Sequence, residues 1–294
     1  MKFYAEIAEL YTEKLHSLYS AGEIKQLFLM VYTHLTKKRA VYFALERQEL
    51  VEEELIAKFQ GILNELCTGR PVQHILGKAD FYGMQLKVNA STLIPRPETE
   101  ELVDIIIKKH AQQGELCVLY VGTGTGCIAL ALKKHLVNAE VYAMEISPDA
   151  IQIARNNAEQ HQLDVQFIQA DVLEWDAFMS INQQFDIIVS NPPYITPQEG
   201  EHMHKNVLQF EPYTALFVEA HAPLLFYDTI ADMAKSVLKS NGLLYFEINQ
   251  YLGAEMIDLL QKKGFSKVEL HKDINGVDRM LTATYGKNAF FQTE

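Results

Sequence analysis

Basic residues are scarce in this 294-residue chain. Its 26 Lys and Arg stand against 38 Asp and Glu, for a formal net charge of −12. Tight nucleic-acid binders usually present an excess of Lys and Arg to the phosphates, so direct nucleic-acid binding is not expected. Cysteine is also sparse. Cys67, Cys117 and Cys127 form no Cys-x-x-Cys pair and have no His at metal-ligand spacing. A zinc framework is therefore not expected, and buried reduced thiols are the ordinary reading. No apolar run reaches the roughly 20 residues needed to span a bilayer. The N-terminal stretch MKFYAEIAEL carries two acids and lacks the apolar core of a signal peptide. Together these absences predict a cytoplasmic protein with no resident metal and no membrane partner.

What is present is 48% hydrophobic content, enough for a large core. Residues 1 to about 85 read as mainly helical. Apolar residues recur at three- and four-residue spacing in LYTEKLHSLY, IKQLFLMVYTHL and LVEEELIAKFQGILNEL, with breaks at Ala21-Gly22 and at Thr68-Gly69-Arg70-Pro71. FYGMQLKVNAST has period-two character, with Phe81, Met84, Leu86 and Val88 on one side, and predicts a short hairpin. IPRP resists helix and ETEELVDIIIKKH begins one. From about 115, apolar strands alternate with helices: CVLYVGTG, GCIALALKKHL, EVYAMEIS, PDAIQIARNNAEQH, VQFIQAD and FDIIVSNPPY. TIADMAKSVLK is expected as a helix closed by Asn241-Gly242. LLYFEIN, GAEMIDLLQKKG, KVELHKDI and RMLTATYG follow. This alternation predicts an α/β fold with a mostly parallel sheet covered on both faces. The expected division is a helical domain at 1–75, a β-hairpin linker at 76–95 and a catalytic domain at 96–294.

Gly122-Thr123-Gly124-Thr125-Gly126 sits between a strand and a helix, where glycine lets the backbone approach a ligand and the helix start offers N–H groups to an anion. Its spacing misses the third glycine of the dinucleotide fingerprint, and no Gly-Lys-Ser/Thr follows, so neither that motif nor a P-loop is matched. Taken alone it reads equally as a tight turn. Glu145 ends the second strand, about twenty residues on, where a carboxylate can accept from both ribose hydroxyls. Asp171-Val172 closes the third strand. Asp171 suits an exocyclic amine of adenine, with a helix N-cap as the rival reading. Asn191-Pro192-Pro193-Tyr194 is more specific. The prolines fix the backbone and leave carbonyls free to accept, Asn191 carries an acceptor and a donor, and Tyr194 carries a flat face. Such a set can grip a planar –NH2 group at the carboxyl end of a parallel strand.

In combination these motifs resemble the amino-group methyltransferases that use S-adenosylmethionine, built on a Rossmann-like class I domain. The flanking segments Gly69–Gly77, IPRPETEELV, Phe210-Glu211-Pro212 and Gly276-Val277-Asp278-Arg279 narrow the resemblance to the HemK/PrmC family, over nearly the whole chain. That family methylates the glutamine of the Gly-Gly-Gln loop of peptide chain release factors, on the side-chain amide nitrogen. The resemblance implies that Gly122, Thr123, Gly124, Thr125, Gly126, Glu145, Asp171, Val172 and Asn191 touch the cofactor. It also implies that Asn191, Pro192, Pro193 and Tyr194 hold the substrate glutamine, with Asn191, Pro192 and Tyr194 in the catalytic role. By the same resemblance Arg96, Pro97 and Glu98 wall the pocket, and the N-terminal helices help to dock the release factor. Tyr120 departs from the family, which usually has Asp there, and removes a carboxylate expected near the methionine end of the cofactor.

Three other readings stay open on the sequence. An adenine-N6 or cytosine-N4 methyltransferase uses the same grip on a flipped base. A ribosomal protein is an alternative glutamine substrate. A binding protein that kept the fold without catalysis is the third, favoured slightly by Tyr120 and opposed by the intact Asn191–Tyr194.

Overall fold

The computed structural model describes residues 2–178, 183–201, 203 and 205–286. The chain divides into two compact units: Met1–Lys78 with His204–Phe210, and Ala79–Met203 with Glu211–Glu294. Residues 287–294, which the expected catalytic domain includes, lie outside the described residues.

The first unit is built on helices Tyr4–Leu15, Ala21–Thr36 and Glu53–Cys67. Tyr4, Ile7, Tyr11 and Leu15 recur every three or four residues and are buried, as are Ile24, Phe28, Val31 and Tyr32 on the second helix. The rings of Tyr11 and Phe28 meet edge to face at 5.3 Å, and the Tyr11 hydroxyl donates to the Phe59 carbonyl at 2.8 Å.

Three details correct the sequence reading of this unit. Ser20, with Glu23 in a capping box, starts the second helix, so Ala21-Gly22 lies inside it and is no break. The third helix begins at Glu53, because Leu50–Val51 pair antiparallel with Lys2–Phe3. The acids Glu53 and Glu54 then occupy its first turn, where the dipole favours them. The helix Lys205–Phe210 clusters with this unit, and Asn206 Nδ2 donates to the Tyr19 hydroxyl at 2.7 Å. Gly69, at φ +86°, lets that side chain in, since a Cβ there would stand 2.8 Å from Asn206 Oδ1.

The second unit opens with the hairpin Lys78–Phe81 and Met84–Lys87, with Phe81, Met84, Leu86 and Val88 all buried. Its centre is a seven-stranded sheet: β1 Cys117–Val121, β2 Glu140–Glu145, β3 Gln166–Gln169, β4 Phe185–Ser190, β5 Leu238–Glu247, β6 Phe265–Lys272 and β7 Asp278–Tyr285. The spatial order is β6-β7-β5-β4-β1-β2-β3. Every pair from β5 through β3 is parallel, and β7 is antiparallel to both neighbours.

All five residues of β1 are buried, as expected of a central strand covered on both faces. Val118 and Tyr120 enter the core beneath helices Pro97–His110 and Cys127–His135, while Cys117, Leu119 and Val121 enter the opposite core with Tyr227 and Ile230.

One expectation fails here. The helix Leu225–Val237 runs straight into β5, so Asn241-Gly242 does not close it. Instead the two residues absorb a register shift: β5 advances from Leu238 to Leu243 while β4 advances from Phe185 to Ile187. Asn241 takes the left-handed conformation this needs, at φ +65°.

Candidate active site

Sheets of this kind bind ligands at the carboxyl ends of the strands where the strand order reverses. Here β1 is flanked by β4 and β2, and a cavity of about 320 Å³ opens at that point. Its lining comes from the ends of four adjacent strands. Gly122–Thr125 follow β1, Glu145 ends β2, Asp171 and Val172 follow β3, and Asn191, Pro192 and Pro193 follow β4.

The loop after β1 is held from below. Gly122 and Thr123 donate their N–H groups to the Met144 carbonyl at 2.9 and 3.0 Å. Asn157 bridges the loop to the hairpin, donating to the carbonyls of Thr125 and Lys87, each at 3.0 Å. Gly126 is placed differently from its expected role. It is absent from the lining and faces the protein, where a Cβ would stand 3.2 Å from the Ala154 Cβ. Its value lies in close helix packing. Pro97 likewise lines a separate groove, with Glu100 and Asp104, and Glu98 lines neither that groove nor the cavity.

The Glu145 carboxylate accepts from Gly124 N–H at 2.9 Å and from Ser147 N–H at 3.0 Å. Those bonds fix its orientation at the cavity wall. Asp171 lines the cavity and also accepts from Leu173 N–H at 2.9 Å, so the cap and the ligand position coincide. Apolar side chains of Ile146, Val172 and Leu173 line the same cavity. Thr123 Oγ1 is fully buried and has no hydrogen-bond partner among the described residues. An unpaired buried hydroxyl costs free energy unless a ligand satisfies it. Two oriented carboxylates, an apolar slot and a glycine loop with an unpaired hydroxyl fit a nucleoside joined to an amino acid.

Beyond Asn191 and Pro192 lies a smaller cavity of about 140 Å³, lined also by Tyr194, Leu93, Arg96 and Glu247. Tyr194 therefore sits at the inner chamber. Its hydroxyl donates to Glu247 Oε1 at 3.3 Å, and its pKa is raised by burial and by the negative charge of Glu247. Ile195 N–H donates to the Leu216 carbonyl, and Asn249 Nδ2 donates to the Tyr194 carbonyl at 3.2 Å, so the motif is pinned on its far side.

Two site features were not anticipated from the sequence. Arg96 pairs with Glu211 at 2.5 Å, and the same carboxylate accepts from Ile94 N–H at 2.9 Å, which joins two of the flanking motifs. Glu247, 2% exposed, lies behind Asn191 and Tyr194 and accepts from the Thr99 hydroxyl at 2.6 Å. Burial pushes its pKa up, against the Thr99 hydrogen bond, the charge of Arg279 and the Tyr194 hydroxyl. The final motif thus contributes Arg279. Tyr120 occupies the departure point with its ring buried and part of the cavity wall.

Residues 113–283 match the model of a methyltransferase domain, and residues 18–77 match that of the PrmC N-terminal domain. A release factor glutamine methyltransferase of Flavobacterium psychrophilum is 41% identical over 94% of this chain and 96% of its own length. The chain belongs to the release factor glutamine methyltransferase family. A second relative of the same description, from Bacteroides thetaiotaomicron, is 39% identical over 92% of this chain and 96% of its own. Among solved structures, a methyltransferase from Pyrococcus furiosus shares the fold, with a TM-score of 0.50 at 19% identity over 70% of this chain and 90% of that one. Membership makes this chain an S-adenosylmethionine-dependent methyltransferase of the Rossmann-like class I type with an added helical N-terminal domain. Among the described residues, no helix is long and apolar enough to cross a membrane.

Proposed function

We propose that this chain methylates the side-chain amide nitrogen of the glutamine in the Gly-Gly-Gln loop of peptide chain release factors. The observation that carries the reading is a pair of neighbouring cavities that share Asn191 and Pro192 in their walls. These two residues line both the larger cavity at the strand ends and the small inner one. A group held by Asn191 and Pro192 would stand at the wall that the two cavities share.

The roles follow from the chemistry of each residue. Glu145 would accept from the ribose hydroxyls, Asp171 would take the adenine amine, and the N–H groups and Thr123 hydroxyl of the glycine loop would hold the methionine end. Bound S-adenosylmethionine supplies a methyl carbon already activated by its sulfonium charge. An amide nitrogen is a poor nucleophile because its lone pair is delocalised, so the protein contributes chiefly by orientation, worth up to about 7–11 kcal/mol. The Asn191 Oδ1 and the Pro192 carbonyl accept from the two amide hydrogens, which favours rehybridisation at nitrogen and stabilises the positive charge that develops there. Tyr194 supports the flat face of the amide. The nitrogen, positively charged once methylated, then releases a proton to water. The N-terminal helical domain is the docking element for the release factor.

Incubating a purified release factor with the chain and S-adenosylmethionine, then mapping the product by peptide mass spectrometry, tests the reading. A mass increase of one methyl group on the Gly-Gly-Gln glutamine is the expected result. Methylation confined to a ribosomal protein or to a nucleic-acid base would replace it.

A further inference from the structure

We propose that Thr99 and Glu247 are positioning residues that set which end of the Asn191 amide faces the substrate. The inference rests on the proposed role of Asn191 as an acceptor for the glutamine amide. An Asn side chain has an oxygen end and a nitrogen end of nearly equal size, and only its hydrogen-bond partners choose between them. Turned the wrong way, Asn191 would present N–H donors to a substrate –NH2 group, which also donates. The grip would become a repulsion.

The structure contains a one-way chain of bonds that makes this choice. The Thr99 hydroxyl donates to Glu247 Oε2 at 2.6 Å. A hydroxyl has one hydrogen, so Thr99 Oγ1 is left able only to accept. Asn191 Nδ2 donates to that oxygen at 3.4 Å. The nitrogen end of Asn191 is thereby occupied, and Oδ1 is left for the chamber. The far end of the chain is held as an acceptor too, because the Tyr194 hydroxyl donates to the other Glu247 oxygen. One buried carboxylate thus stands behind both ends of the Asn191–Tyr194 motif.

Burial makes the arrangement stiff. Thr99 is 3% and Glu247 2% exposed, so their bond is made away from bulk water and in a low-dielectric setting. Thr99 comes from the helix Pro97–His110 and Glu247 from the end of β5, elements that the sheet and its covering helix hold in fixed register. Neither residue is assigned contact with the reacting atoms. Their effect passes through Asn191 and Tyr194.

Replacing Thr99 separates this role from simple packing. T99V keeps the branched shape and removes the hydroxyl, while T99S keeps the hydroxyl and removes a methyl group. With release factor as substrate, T99V is expected to lower kcat by about 10–100-fold, somewhat less than direct loss of a preorganised group, with KM little changed. T99S is expected to recover most of that loss. Wild-type kcat in T99V, or a T99S as poor as T99V, would overturn the proposal. A second arm does not depend on turnover. With Asn side chains labelled by ¹⁵N, nuclear Overhauser contacts should join the Asn191 amide hydrogens to Thr99 in the wild-type protein. They should weaken in T99V. An Asn191 whose amide hydrogens point away from Thr99 would sink the idea whatever the kinetics. If the wild-type chain fails to methylate release factor, the proposed function falls, and the magnetic-resonance arm still decides the orientation.

Discussion

Arg96 and Glu211 lie 115 positions apart in sequence and form an ion pair at 2.5 Å, with the Glu211 side chain 1% exposed and that of Arg96 34% exposed. The pair closes the segment before the helix Pro97–His110 onto the segment that follows the Asn191–Tyr194 loop, within one unit. Arg96 also lines both chambers.

Among the described residues, removing Arg96 leaves the buried Glu211 carboxylate with the Ile94 N–H as its one hydrogen-bond partner. R96A is expected to lose about 2–3 kcal/mol of unfolding free energy, below the range for a fully buried pair because Arg96 keeps a third of its surface in water. R96K, which retains charge without the planar fork, should fall between. Urea denaturation of the three proteins measures this. Equal midpoints for wild type and R96A would show that the pair contributes nothing to stability.

Asn191→Ala removes an acceptor that should strengthen as charge develops on the substrate nitrogen, so the loss should appear in kcat. The expected cost is about 10²–10³ in rate. Cofactor affinity should fall much less, since Glu145 and the glycine loop remain. Asn191→Asp keeps the acceptor but cannot donate to Thr99, and an intermediate rate is expected of it. Single-turnover rates at saturating cofactor, beside calorimetric binding, separate these effects. A wild-type kcat in the Ala variant would make the loop a structural element.

At Tyr120 two effects oppose each other. Restoring the carboxylate by Y120D should tighten S-adenosylmethionine binding by about 0.5–1.5 kcal/mol, the size of one net hydrogen bond. The same change deletes a ring that is 4% exposed and packed in the core, at a cost of about 3–5 kcal/mol in stability. Titration calorimetry below the unfolding temperature reads the first effect and scanning calorimetry reads the second. Weaker cofactor binding by Y120D would mean that the tyrosine is accommodated without loss.

Glu247 gives the stability a signed dependence on pH. Its folded pKa lies above the ordinary glutamate value, chiefly through burial. A raised acid contributes stability that is fully present below the unfolded pKa and is lost as pH rises through the folded one. E247Q lacks that loss. Its melting temperature relative to wild type should therefore rise with pH, starting from about the normal glutamate pKa near 4.3. Taking the difference between the two proteins cancels the opposite trend of Glu199, Asp232 and Asp273, whose values are lowered. A difference that stays flat from acid to neutral pH would show that Glu247 titrates normally.

What the sequence disclosed was whatever one segment carries by itself. The apolar run of β1, the glycine loop, Glu145 and Asn191–Tyr194 each sit on a strand end that the local pattern already marks. Thr99 and Glu247 were invisible for a physical reason. Each is an ordinary residue in its own segment and gains its role from a partner 148 positions away. The Gly-containing pairs misled in two places because glycine signals permission rather than a stop. Gly22 stays inside a helix capped by Ser20, and Asn241-Gly242 takes up a register shift within β5. The Lys2–Phe3 strand was hidden too, since two residues define no period.

The Lys205–Phe210 helix alters how this protein can be taken apart. The chain leaves the helical unit after Lys78, rejoins it at His204 and leaves again after Phe210. A gene fragment ending at residue 78 would therefore encode that unit without one of its own pieces. The remaining fragment would carry a short helix whose Asn206 has lost the Tyr19 hydroxyl. Neither half is a self-contained cassette. Shuffling or grafting the helical domain between relatives would have to exchange two separate stretches together, one of them spliced in only ten residues beyond the Asn191–Tyr194 loop.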